Sequence, residues 1–286
     1  MSRFFAPKGL RTLAFPVTKS NRYNAAQRPV DYLGNCTSSQ ILENTHFSMT
    51  GSACMIGNPA KAFPLVETFV RRSRLPFVLI EPQTGGNSPL KALPISWTLQ
   101  TSPDILPPGN GLLQLGRPNG YLDLCTYLQQ WSADHLIILH LGSGLQIGQS
   151  VINCLNSLDS AIIICDSVQR SILREDAGTV SPVEFMKQMS GLFVFSIGNV
   201  AKDLIEVLPT YHYERVTNQV SYNNYNTRHM FQFFLHKSRG ISMSQSRTLE
   251  DKKSLFEQDE LRELEEQNVL LIYNGRQNST YLAHLT

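Results

Sequence analysis

With 286 residues, 42% of them hydrophobic, the chain can build one large core or two small ones. Its 17% charged residues fall below the usual quarter of a soluble domain, and a net charge of +2 argues against a binder that gains affinity by neutralising many phosphates. Five cysteines, odd in number and without a C-x-x-C pair, describe buried reduced thiols of a cytosolic protein better than a disulfide framework.

The charge is unevenly spread. Arg3, Lys8, Arg11, Lys19, Arg22 and Arg28 precede the first acid, Asp31, so the opening 30 residues carry +6 and the remainder has 19 basic against 23 acidic residues. Pro7 and Pro16 break any long amphipathic helix of the transit-peptide kind, and no apolar stretch of secretory type follows. Residues 1–44 therefore read as a basic, aromatic arm. Arg3, Phe4, Phe5, Lys8 and Arg11 are its candidate contacts with a partner or with the chain's own domain.

From residue 45 the pattern alternates between apolar β-rich runs and segments of helical spacing, which predicts an α/β fold with strands covered on both faces. Thr45–Met49 is a short strand leading into a loop, Gly51–Gly57. Ala60–Arg72 is a helix whose first turn Pro64 could mark, and Phe77–Ile80 is a strand. Residues 84–132 form an insertion or connector rich in Pro, Gly and Ser, with a strand at Ile95–Leu99 and a helix at Tyr121–Trp131. The cleanest unit follows: strand His135–Leu141, turn Gly142–Gly144, helix Gln146–Leu158 and strand Ala161–Cys165, a right-handed crossover by default. A helix at Val183–Met189, a strand at Leu192–Ile197 and a helix at Val200–Leu208 continue the alternation. Residues 209–228 read as a surface connection, and His229–His236 as a strand or a helical turn. Thr248–Gln267 reads as a charged helix, and Val269–Tyr273 with Thr280–Leu285 as a terminal hairpin about Asn274-Gly275. None of the apolar runs approaches the roughly 20 residues that span a bilayer. Residues 45–286 are thus expected to form a single domain.

Several chemistries can be weighed on these residues. Gly142-x-Gly144-x-x-x-Gly148 between strand and helix, with Asp166 after the next strand, suggests a dinucleotide or S-adenosylmethionine site, because glycines let the backbone approach a pyrophosphate. Its spacing is one residue too long for the fingerprint, so a plain strand-to-helix turn competes with the alternative function, a Rossmann-type enzyme binding NAD or S-adenosylmethionine at Gly142–Gly148. Ser143 lacks the G-x-S-x-G elbow that would make it a nucleophile. His135 and His140 are five apart on one strand and fall on opposite faces, so no metal pair forms there. Glu257, Asp259, Glu260, Glu263, Glu265 and Glu266 crowd one segment as a solvated or contact face, not as an acid/base pair.

The order of the motifs resembles the RecA-like ATPase domain of type IV coupling proteins, the TraD/TraG family. His46–Asn58 is similar to the family's first strand and its G-x-x-x-x-G-K-[ST] phosphate loop: Gly51 matches the first glycine, but Ile56 stands at the second, Gly57 at the lysine and Asn58 at the Ser/Thr. Glu81-Pro82-Gln83 resembles the Asp-Pro-Lys element of the next strand. His135–Gly144 resembles the strand that ends in Asp-Glu, with His140 and Leu141 in place of both acids, and Gln169 resembles the sensor glutamine. Leu192–Leu208 and Leu255–Gly275 resemble the family's later strand–helix and helix–strand pieces.

The resemblance implies a mostly parallel RecA/P-loop-like sheet flanked by helices. The departures imply lost chemistry, since hydrolysis needs a cation at the β/γ-phosphates, a hydroxyl on Mg²⁺ and a carboxylate to hold the metal. The expectation is a non-enzyme without cofactor or metal, with Gly51, Ile56, Gly57, Asn58, Glu81, His140, Leu141 and Gln169 as relic pocket positions. As a coupling-family relative without a membrane span, it is expected in the cytoplasm, held at the inner membrane through a coupling ATPase and a small partner subunit, and not on nucleic acid.

Overall fold

The computed structural model describes residues 15–17, 35–45, 47, 51–82, 90, 98–100, 109–115, 121–142, 147–158, 160–171, 181–223 and 240–285. In chain order the elements are β1 (Phe15–Val17), β2 (Asn35–Cys36), α1 (Ser38–Asn44), β3 (Gly51–Ile56), α2 (Pro59–Ser73), β4 (Phe77–Pro82), β5 (Thr98–Gln100), β6 (Gly111–Leu115), α3 (Tyr121–Ser132), β7 (Leu136–His140), α4 (Gln149–Ser157), β8 (Ser160–Cys165), α5 (Val168–Ser171), α6 (Pro182–Gln188), β9 (Gly191–Val194), α7 (Ala201–Val207), β10 (Thr210–Asn223), β11 (Gly240–Ser254), α8 (Gln258–Glu266), β12 (Leu270–Asn274) and β13 (Ser279–Leu285).

Eleven strands form one sheet in the order β1-β13-β12-β9-β3-β8-β7-β4-β6-β5, with β2 also on β13. From β9 to β5 every pairing is parallel, while β12 and β13 extend the sheet antiparallel. Numbered from β3, the five strands of the family resemblance (β3, β4, β7, β8, β9) lie in the order 5-1-4-3-2, the arrangement of RecA-like ATPases. The fold is a RecA/P-loop-like α/β sheet with helices on both faces.

The strands read as near-continuous apolar runs because both faces are buried. Alternate residues go to opposite sides. Val78, Ile80, Ile137, Leu139 and Ile163 face α3, α4, α6, α7 and α8. Phe77, Leu79, Leu136, Ile138 and Ile162 face α1 and α2. On the second side Phe47, Phe69 and Phe193 meet edge to face, with centroids 5.0–5.9 Å apart.

Local signals start and stop the helices. Ser181 and Glu184 form a capping box around Pro182 at the start of α6. Thr37 and Gln40 do the same for α1. Helix α2 begins at Pro59 and carries Pro64 in its interior, so Pro64 does not mark its start; Arg74 at φ +57° closes it.

Several expected boundaries change. Residues 35–44 do not belong to an arm: β2 and α1 are part of the sheet and its cover, and β1 pairs with Thr280–Leu282 of β13. Pro16 is tolerated there because β1 is an edge strand. The connector contributes the parallel strands β5 and β6, the former three residues later than expected.

The expected single domain divides into residues 1–209 with 255–286, and a second unit of residues 210–254. In the second unit β10 and β11 pair antiparallel from Thr210↔Ser254 to Asn223↔Gly240, with an irregularity at His212/Tyr213. Residues 209–223 are therefore largely strand, not a loose connection. Residues 248–254 also belong to a strand, and the charged helix starts only at Gln258. In the first unit the Leu255 amide donates to the Pro209 carbonyl at 3.2 Å, joining the chain across the insertion. The expected strand or helical turn at His229–His236 and most of the expected strand Thr45–Met49 lie outside the described residues.

Candidate functional site at the carboxyl edge of the sheet

In open parallel sheets ligands gather beyond the carboxyl ends of the strands. Here that edge carries Gly57 after β3, Glu81 and Pro82 of β4, Gln114 of β6, His140 of β7 and Asp166 after β8.

The expected phosphate loop is not a loop. Gly51–Ile56 is strand β3, buried from Ser52 onward, so Gly51 and Gly57 lie at opposite ends of it, roughly 20 Å apart at strand rise. Gly51, at φ +94°, lets the chain enter β3 beside Ser190, whose amide donates to the Ser52 carbonyl at 2.9 Å. Between β3 and α2 only Gly57 and Asn58 intervene.

Three of the amides at this turn and the helix start, those of Gly57, Ala60 and Lys61, are already used. Gly57 N–H donates to the Cys165 carbonyl at 2.9 Å, and Pro59 has no N–H. Ala60 N–H goes to Asn58 Oδ1 at 2.8 Å, and Lys61 N–H to the Asn58 carbonyl at 2.9 Å. A cradle needs several convergent, unpaired N–H groups. A cavity of about 240 Å³ lies beside this first turn of α2, lined by Lys61, Pro64, Phe195, Asn268, Leu270 and Leu285. Lys61 Nζ donates there to Asn268 Oδ1 at 3.0 Å.

A polar row runs across three neighbouring strands. Register pairs Glu81 with Gln114, and Ile80 with Leu139, which sets Glu81 beside His140. All three continue the face of Leu79, Leu112 and Ile138. Gln114 Nε2 donates to Glu81 Oε1 at 3.1 Å. Glu81 and His140 are 2% and 9% exposed. Neither ring nitrogen of His140 has a hydrogen-bond partner among the described residues. Burial pushes the His140 imidazole below the ordinary histidine value, against the opposing pull of the Asp166 and Glu81 carboxylates. No three metal-ligating side chains converge among the described residues.

The other expected positions scatter. Leu141 turns to the opposite face, fully buried, its amide on the Ile164 carbonyl at 2.8 Å. Gln169 is exposed on α5, and its side-chain amide reaches Asp203 Oδ2 at 3.5 Å rather than the row. Gly142, at φ +50°, makes a tight turn against Pro82, and Gly148 caps α4 without a side-chain bond. Ser143, Gly144 and the arm residues Arg3, Phe4, Phe5, Lys8 and Arg11 lie outside the described residues. Gln114 was not expected; only strand register brings it to Glu81.

Cys54 and Cys165, on adjacent strands, have sulfurs 3.9 Å apart and are fully buried. Their mutual hydrogen bond, then burial, holds the Cys54 thiol well above the usual range.

No protein-family model and no curated protein matches the chain. Among solved structures the chain is similar to the genome packaging NTPase B204 from Sulfolobus turreted icosahedral virus 2. The AMPPCP complex has a TM-score of 0.46 at 8% identity, over 84% of this chain and 99% of that one. The AMP complex has 0.45 at 10% identity, over 84% and 100%. The strand order β9-β3-β8-β7-β4 is what marks this sheet as RecA-like. No helix among the described residues is long and apolar enough to cross a membrane.

Proposed function

We propose that this chain is a non-catalytic adaptor built on a RecA-like sheet: an accessory subunit of a type IV secretion coupling complex that docks to the coupling ATPase and helps recruit effector proteins. The observation that carries the reading is the two-residue turn Gly57-Asn58, whose neighbouring amides are spent on Cys165 and on the Asn58 cap. His140 and Leu141, in place of a metal-holding acid pair, support it. Removing preorganised charge from such a site removes the largest catalytic term.

The motif order supports the coupling-protein setting. Size and neutral-polar composition make the chain similar to DotZ of the Dot/Icm type IVB coupling complex, which assigns it a cytoplasmic place and a small DotY-like neighbour. The basic start, with Arg3, Phe4, Phe5, Lys8 and Arg11, supplies the partner contact in this reading. Affinity purification of the tagged chain from its native cell, with and without residues 1–14, tests it. Recovery of a membrane-bound ATPase by the full chain, lost on deletion while thermal stability holds, is expected. Recovery of no ATPase, or recovery unchanged by the deletion, contradicts it.

A further inference from the structure

The row Gln114–Glu81–His140 holds a buried group that neither the fold nor the proposed function uses. A neutral imidazole has one donor and one acceptor nitrogen, and both of His140's are sealed without a partner among the described residues. Buried polar groups are nearly always paired, so an unpaired ring marks a place where the closed state carries a cost. The charged groups that face it are Glu81, its lateral neighbour on β4, and Asp166, just after β8; Gln114 is neutral. Beside it the turn after β7 lies close against the end of β4, since a side chain at Gly142 would meet Pro82 Cγ at 3.1 Å and His140 Cε1 at 3.9 Å.

We propose that His140 is a proton-operated latch at the junction of β4 and β7: the neutral ring stays sealed between the two strand ends, and the charged ring drives them apart to reach water. The proposal is independent of the adaptor reading. Neither ring nitrogen is hydrogen-bonded in the closed arrangement, and the pull of the Asp166 and Glu81 carboxylates does not outweigh the burial that disfavours an imidazolium there. Asp166, just after β8, is itself exposed and is the acid on offer to the charged ring once the junction opens.

The sign follows from linkage. The ring titrates lower in the closed state than in an open one, so the open state binds more protons below the ordinary histidine value of 6.5. Closure is then complete above that value and is lost as pH falls towards the closed-state value. Glu81 and Asp166 oppose this, so replacing Glu81 by Gln lowers the titration further.

Amide hydrogen exchange at Ile80, Glu81, Leu139 and Leu141, corrected for intrinsic rates, tests the latch at about pH 7.5 and about pH 5.5. Protection is expected to fall by about tenfold for each pH unit between the open and closed titration values. In His140→Gln protection is expected to be equal at the two pH values. Ring NMR of the unmutated chain gives an independent readout if that variant does not fold. A His140 midpoint below 6.5 that coincides with the exchange change supports the latch. A midpoint at or above 6.5, or an undiminished pH dependence in His140→Gln, overturns it.

Discussion

Replacing Gly57 by Ala separates two reasons for a glycine at this position. A phosphate cradle needs glycine so that a ligand can approach, and the empty protein would tolerate a methyl group there. In the structure the constraint is internal. Gly57 has φ +128°, and an added Cβ would stand 3.0 Å from the Ser196 backbone nitrogen, 3.0 Å from Phe195 Cβ and 2.9 Å from Ser196 Oγ. The Ser196 hydroxyl can rotate away; the backbone nitrogen and the buried Phe195 cannot do so without moving the end of β9.

A side chain in this glycine-only region costs of order 1–3 kcal/mol. The stiffer unfolded chain returns about 0.4–1 kcal/mol. With the displacement of β9 added, the net is a loss of about 2 kcal/mol, or roughly 4–8 °C in Tm. Urea unfolding without any ligand measures it. Gly109→Ala is the control, because nothing lies within 4 Å of its added Cβ; it is expected within about 0.5 kcal/mol of the parent. A Gly57→Ala variant as stable as the Gly109→Ala variant would refute the argument that β9 closes this turn.

Phe69→Ala removes a ring that is 1% exposed and packed edge to face on Phe47 and Phe193, and is expected to cost about 3–5 kcal/mol by urea unfolding. A loss under about 1 kcal/mol would contradict the packing of α2 on the sheet. Among the thiols, Cys125 is half-buried, whereas burial pushes Cys36 up to about 11 and burial with Cys125 as neighbour pushes Cys154 up to about 11. Iodoacetamide near neutral pH is therefore expected to label Cys125 first and Cys54 and Cys165 only on unfolding, read by peptide mass mapping. Equal labelling of Cys54 and Cys125 in the folded protein would contradict the buried pair.

The central alternation was legible because β7, α4 and β8 have long, uniform patterns bounded by turn residues, and the structure places them within a few residues of expectation. Strand β3 was not. Its apolar part, Ala53–Ile56, is short and flanked by Gly51 and Gly57, and that spacing imitates a phosphate loop; only the ladders to β8 and β9 reveal a strand. The stretch 248–254 has the charged composition of a helix, and pairing with β10 overrides that propensity. At the site, the sequence supplied Glu81 and His140 as separate departures from a motif. Their adjacency, and Gln114 as the third member, depend on register between strands distant in sequence, which local periodicity does not encode.

The most direct test of the account is equilibrium binding of ATP-Mg²⁺ to the purified full chain, measured by isothermal titration calorimetry with phosphate release followed in parallel. No saturable binding and no release above the protein-free rate are expected. Saturable binding with turnover that disappears in Glu81→Gln or Asp166→Asn would contradict it.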